Sequence, residues 1–400
     1  MHALSCGVRK DRVPPGSQTS LREANRARLI DAVQKRGSIT QVELVGATGL
    51  SAATISNIVK ELTAAGVLNT SPTSRSGRRA QLVTLARDLG LVAGVHFSER
   101  SMRVALADVT QRVIAEQRLP LPPEHRADSS LDTAAMLIDE MLDSVGAARA
   151  ELLAVGVGIP APVDPATGTV SAAGVLRSWD GVVVPTVLEQ HLGVPVKVDN
   201  EANLGAVAEA RLGVARGLRH VIYLRASHGL ALGLIIDGRI VHGRIGLAGE
   251  IGHMVVDGAV GCRCGNTGCL ETVAGADVLL SRLQSDYGHL TLRDVISQAH
   301  DGDPQLREAL AETGRVLGGA LAVACTLLDP EMVVIGGELA HAGEILLEPL
   351  RETVHARAMQ GAAGPVPVVP GLLGDQAEVR GALALALEHS ALIATRMGAR

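Results

Sequence analysis

The chain has 400 residues, 47% hydrophobic and 20% charged, with a net charge of −5 and aromatic side chains at only 1%. That length predicts two or three domains, and so few aromatics predict aliphatic cores and exclude a stacking platform for single-stranded nucleic acid. Residues 1–80 hold twelve Lys/Arg against five Asp/Glu, a net of +7 that leaves −12 for the rest, so the basic end is expected to meet nucleic acid and the acidic body something else.

Residues 1–20 are polar, carry Pro14-Pro15-Gly16 and read as a disordered tail. MHALSCGVRKDR lacks the apolar run of a signal peptide. LREANRARLIDAVQKRG, ITQVELVGATG and SAATISNIVKELTAAG follow as three helices, with Ser51 as N-cap and Gly66 as a stop. VLNTSPTSRSGRRAQLVTL reads as strand, polar loop, strand.

From about residue 88 the pattern changes. LVAGVHF, RVALADV and VIAEQRL are successive strands, SLDTAAMLIDEMLDSV is an amphipathic helix, and LLAVGVGIP is a buried strand. Two strand–helix units are expected around VKVDN and HVIYLRA, then a hairpin turning at Asp237-Gly238. The strand EMVVIGGEL lies between long helices, giving an α/β body with mixed sheets. The longest apolar run, 316–328, is too short to span a bilayer. Five cysteines do not suggest a disulfide framework, so a cytoplasmic protein with no membrane contact is expected.

QVELVGATGLSAATISNIVKEL has the layout of a helix-turn-helix. Leu44, Leu50, Ile55, Ile58, Val59 and Leu62 share the inner face, and Gly49 permits the turn. Ala52, Ala53, Thr54, Ser56, Asn57 and Lys60 then face outward, a set of small and hydrogen-bonding side chains suited to the major groove. Asn57 can pair with adenine, and a methyl group can touch that of thymine. The alternative is an ordinary helical hairpin with a solvated face. The loop SRSGRRAQ favours the first reading, because Arg75, Arg78 and Arg79 between two strands make the wing of a winged helix, able to reach phosphates or a narrow minor groove.

GCRCGNTGCLE (261–271) packs Cys262, Cys264 and Cys269 into eight residues, with His253 nine residues upstream of the first. Three thiolates and an imidazole would close a tetrahedral structural zinc site with no open position for chemistry. Free thiols or a redox pair are the alternative. Cys6 and Cys325 are solitary, and Cys325 reads as a small core residue. Glu250 and Glu271 flank the cluster, where paired carboxylates can accept hydrogen bonds from vicinal sugar hydroxyls or simply be solvated.

GEIGH (249–253), CRCGNTGCLE (262–271), VDNEAN (198–203) and LLDPEMVVIGGEL (327–339) together resemble the ROK family of bacterial repressors and sugar kinases, from about residue 21 to the C-terminus. The winged helix is similar to that of the repressor branch. The resemblance implies an N-terminal winged helix-turn-helix (21–86) followed by a two-lobed actin/hexokinase-type, ribonuclease H-like fold. One lobe would comprise 88–200 plus about 378–400 and the other, with the zinc site, 201–377. It implies that Asn200, Glu201, Glu250, His253 and Glu271 contact a sugar between the lobes, His253 also holding the metal.

Kinase members use an Asp-x-Gly-Gly-Thr turn; here His96-Phe97-Ser98-Glu99-Arg100 stands there, with His96 for the acid and both glycines gone. The second phosphate loop, Gly-Thr-Gly-x-Gly in kinases, reads Ser227-His228-Gly229-Leu230-Ala231. The family's base is the aspartate of Asn-Asp-x-Asn, whereas this chain has Asn200-Glu201-Ala202-Asn203, and one extra methylene displaces the carboxylate. Ala161 replaces a glycine common among relatives, and Trp179 either stacks on a sugar or fills the lobe interface. The expectation is a regulator, most simply a repressor, without catalytic residues or bound ATP. It would carry one structural zinc per chain, bind an inverted-repeat operator as a dimer or tetramer, and answer to a sugar or sugar phosphate. The rivals are a sugar kinase with a DNA-binding head and a regulator whose sugar site is vestigial.

Overall fold

The computed structural model describes residues 18–390 apart from 76–77, 87–88, 123–124, 172–176, 257 and 362–363. Most of the tail, Cys6, and the last ten residues of the first lobe's expected range lie outside the described residues. The chain divides after residue 87 into two compact units.

In the first unit, α1 (Gln18–Arg36), α2 (Gln41–Thr48) and α3 (Ala52–Ala64) pack Leu29, Ile30, Val33, Leu44, Ile55, Ile58, Val59 and Leu62 into one core. Thr40 and Glu43 close a capping box on α2. Gly49 ends that helix at φ +69°, where a side chain would be strained, and the chain then bends by 115° into α3. The Ser51 hydroxyl accepts from the Thr54 amide at 3.1 Å as the N-cap.

Two expectations change here. Ile39 and Thr40, read as the start of the second helix, belong instead to strand β1 (Ser38–Thr40). It pairs with β3 (Arg78–Leu85), which pairs in turn with β2 (Leu68–Arg75). The β2–β3 ladder runs from Leu68↔Leu85 to Arg75↔Arg78, so the three wing arginines sit at the tip of a hairpin rather than in an open loop. The sequence SRSGRR shows no polar–apolar alternation that would mark it as strand.

The second unit contains two five-stranded sheets with the same plan. In the first, β4 (Leu91–Phe97), β5 (Ser101–Asp108) and β6 (Val113–Pro120) are antiparallel, and β7 (Leu152–Ile159) and β8 (Val196–Asn200) run parallel to β4. α4 (Ala127–Ser144) and α5 (Val184–Leu192) complete its connections. In the second sheet, β9 (Val221–Ala226), β10 (Leu230–Ile236) and β11 (Arg239–Ile240) are antiparallel, and β12 (Met332–Gly336) and β13 (Val368–Pro370) run parallel to β9. HVIYLRA is therefore followed by a hairpin, not a helix. The Asp237-Gly238 turn has φ of +51° and +74°, as a two-residue hairpin requires.

Two helices link the lobes. α6 (Glu201–Arg211) follows the first sheet but packs on β9 and β10 of the second. α12 (Ala377–His389) follows the second sheet but packs on β4 and β7 of the first. They touch at Gly381, where a Cβ would fall 2.1 Å from the Leu204 carbonyl oxygen, too close for any other residue without a shift. The remaining helices are α7 (Glu271–Ala274), α8 (Ala276–Tyr287), α9 (Leu292–His300), α10 (Pro304–Leu328) and α11 (Glu344–Arg357).

The apolar run 316–328 is the second half of the 25-residue α10, which is long and apolar enough to cross a membrane, yet more than half of its apolar window is packed inside the protein. Cys325 is buried in that core. Trp179 is fully buried in the first lobe, edge-on to Phe97 at 4.9 Å, and its indole N–H donates to the His125 carbonyl. It fills neither the lobe interface nor a sugar site.

Candidate functional site

In the first unit, one face of α3 is exposed. Ala52, Ala53, Ser56, Asn57 and Lys60 are exposed along α3, and Thr54 is half-buried with its hydroxyl 2.8 Å from that of Ser51. The opposite face of α3 carries the buried Ile55, Ile58, Val59 and Leu62, so the helical period separates core from outward side chains. Glu61 pairs with Arg22 and Arg26 of α1 and fixes α3 against the bundle. The side chains of Arg75, Arg78 and Arg79 lie outside the described residues.

In the second unit, Asn200, Glu201, Glu250, His253 and Glu271 line one cavity of about 420 Å³ between the sheets. They are not equally available. Asn200 caps α6, accepting from the Ala202 amide at 2.8 Å and donating to the Ala161 carbonyl at 3.1 Å. Ala161, buried in the core of the first lobe, also lines the cavity. Glu271 accepts from the Leu230 amide at 3.3 Å and pairs with Arg263 at 2.7 Å. The Glu250 carboxyl makes no hydrogen bond among the described residues. Burial, with Glu271 nearby, pushes it up to about 7. It is the carboxyl freest to meet a ligand.

Glu201 is tied into a buried ion chain. Its Oε2 lies 2.7 Å from His96 Nε2 and its Oε1 3.0 Å from Arg225 Nη1. Arg225 Nε lies 3.3 Å from Glu378 of α12, which also accepts from the Tyr223 hydroxyl at 3.2 Å. His96 and Glu201, two departures from the kinase pattern, are thus partners. Both oxygens of the Glu201 carboxyl are engaged by side chains of the protein itself. Beyond it the path narrows to a void of about 20 Å³ lined by Glu99, Glu201, Arg225 and His228, room for about one water. A second cavity of about 560 Å³ lies on its far side, lined by Arg100, His228 and Glu338 among others.

His253, Cys262, Cys264 and Cys269 bring four ligand atoms within 4.8 Å of one another. Cys262 Sγ lies 3.4 Å from His253 Nδ1, and Cys264 Sγ 3.6 Å from Cys269 Sγ. A tetrahedral ion with metal–sulfur bonds of about 2.3 Å needs ligand separations near these. Burial and the neighbouring thiols push the Cys269 thiol up to about 12. The His253 ring also lines the cavity, which joins cluster and cavity into one unit.

Arg225, Arg263 and His242 also belong to this region and were not singled out from sequence. A charge within the apolar strand HVIYLRA was a usable signal for Arg225, and Arg263 sits inside the cysteine motif itself. His242, bonded to Asp199 at 2.8 Å, carried no local signal.

Fold and site define a winged-helix protein whose body is a two-lobed fold of the actin/hexokinase type, with a buried chain of His96, Glu201, Arg225 and Glu378 beside its cavity. Residues 92–389 match the ROK family and residues 22–69 the winged helix-turn-helix DNA-binding family. The chain belongs to the ROK family. It is similar to the xylose repressor of Caldicellulosiruptor bescii, at 28% identity over 93% of this chain and 97% of that one. It is likewise similar to the DNA-binding transcriptional dual regulator NagC of Escherichia coli K12, at 29% identity over 93% and 95%. Among solved structures, a ROK family transcriptional regulator homologous to the E. coli MLC protein superposes with a TM-score of 0.74, at 23% identity over 94% of this chain and 98% of that one. A ROK family glucokinase from Streptomyces griseus, solved with glucose and AMPPNP, gives 0.66 at 28% identity, over 75% of this chain and all of that one.

Proposed function

We propose that the protein is a transcriptional repressor of carbohydrate genes whose DNA binding is set by a sugar or sugar phosphate in a catalytically inactive kinase-type body. The observation that carries this is the pairing of an open carboxylate-lined cavity with a closed phosphoryl path: Glu250 and Glu271 line the first, while His96 and Arg225 hold Glu201 at the second. The relatives named as xylose repressor and NagC support the carbohydrate assignment.

In this reading Ala53, Thr54, Ser56, Asn57 and Lys60 face the major groove, and Arg75, Arg78 and Arg79 reach the backbone or minor groove. A homo-oligomer, dimeric or tetrameric, places two such heads on an inverted repeat. Residues 88–200 with 378–400 form one lobe and 201–377 the other. His253, Cys262, Cys264 and Cys269 would hold one zinc ion, whose contribution is to fix the loop that presents Glu271. Asn200 orients the start of α6, Glu250 and Glu271 accept ligand hydroxyls, and His253 turns its free ring edge to the ligand. Sugar binding shifts the lobe arrangement through a differential affinity of about a few kcal/mol.

The test is a thermal-shift panel of sugars and sugar phosphates. A ligand at a hundred times its Kd adds about 2.7 kcal/mol of stability. Stabilisation by at least one sugar without ATP turnover is expected. No stabilisation across a broad panel would make the cavity vestigial, and ATP-dependent phosphorylation of a hexose or pentose would make the protein a kinase.

A further inference from the structure

Arg263 lies between two of the cysteines, in the loop of the second lobe. Its guanidinium faces two carboxylates from different parts of the body. Nη2 is 2.7 Å from Glu271 Oε1, and Nη1 is 3.6 Å from Glu99 Oε1. Glu99 belongs to the β4–β5 turn of the first lobe. The three side chains converge over Gly229, where a Cβ would come within 3.6 Å of Arg263 and Glu271 and 3.9 Å of Glu99. All three are at least two-thirds buried.

We propose that Arg263 is a positioning residue that clamps the cysteine loop to Glu99 across the cleft, so that the ligand site and the contact between the lobes share one guanidinium. This rests on reading the cavity as the sugar site. Glu99 gives the first lobe an acid facing Arg263. Burial raises the Glu99 carboxyl above its usual range, and Arg263 opposes that shift. With Glu271 Oε1 on the guanidinium and Oε2 facing the Leu230 amide, a hydroxyl that takes Glu271 must share or displace Arg263. The looser Glu99 contact has room to shorten when that happens.

The test uses the full-length protein without sugar, so it stands apart from whether any sugar binds. Hydrogen–deuterium exchange is followed in wild type, Glu99→Gln, Arg263→Gln, Arg263→Lys and the double Gln variant, with metal content measured in each. Each single Gln variant should raise exchange several-fold in both the 98–101 turn and the 261–265 loop. The double should add nothing to either, and Arg263→Lys should lie between wild type and Arg263→Gln. Metal content should match wild type. Changes confined to the substituted segment, or double effects equal to the product of the singles, overturn the clamp. If Arg263→Gln fails to fold, Glu99→Gln alone decides, because unchanged exchange in 261–265 would refute the coupling.

Discussion

Arg225→Met tests the buried ion chain that links Glu201 to Glu378. Arg225, Glu201 and Glu378 are all within a tenth of full burial, with side-chain exposures of 9%, 6% and 5%. Methionine fills much of the same volume but leaves two carboxylates without their guanidinium. Removing one member of a buried ionic group costs about 3–5 kcal/mol. Glu201 keeps His96, so the lower end of that range is expected. The assay is urea unfolding followed by fluorescence of Trp179, the single tryptophan, which is buried in the second unit and reports that unit alone. With a urea slope of about 3 kcal/mol/M, the midpoint should fall by roughly 1 M. Adding Glu201→Gln and Glu378→Gln should recover at least half of the loss, since neutral amides need no counter-ion. A midpoint within about 0.2 M of wild type, or no recovery in the triple variant, would mean the chain is not held by charge pairing.

Other outcomes follow from the same geometry. Cys264→Ser should lose bound metal and any sugar-induced stabilisation together, while 18–86 keeps its fold; elemental analysis and thermal shift on one sample check this. Asn57→Ala should lower discrimination at one operator base pair by about 1–3 kcal/mol, read by competition with single-base variants. Arg78→Ala with Arg79→Ala should flatten the salt dependence of DNA affinity by a slope of roughly two, whereas an unchanged slope would place the wing off the DNA. The hydrogen bond that His242 donates to Asp199 raises His242 above its usual value of 6.5, outweighing burial. Its stabilisation is present in full below that value and fades as pH rises through the folded one. His242→Gln should remove this part of the pH dependence, and parallel stability curves for the two proteins would contradict it.

How much was legible in the chain depended on how local each signal was. The helix-turn-helix could be read because its core spacing, its cap at Ser51 and its turn at Gly49 are all properties of adjacent residues. Strand β1 could not, because three residues become a strand only through β3, more than forty positions away. The hairpin after β9 was missed for a related reason: an apolar run does not say whether the next element pairs with it or crosses over it. In the site, ligand types at close spacing exposed the Cys/His cluster. The fate of Glu201 depended on His96, 105 residues distant, and on an arginine in another strand. Read singly, the departures from the kinase pattern looked like losses, and only the fold shows two of them to be one hydrogen-bonded pair.

The most direct test of the account is selection of binding sites from a random double-stranded DNA library by the purified full-length protein, with and without a panel of sugars and sugar phosphates. The account predicts enrichment of an inverted repeat whose recovery changes in the presence of at least one sugar. Failure to enrich any sequence, or enrichment indifferent to every sugar, would contradict it.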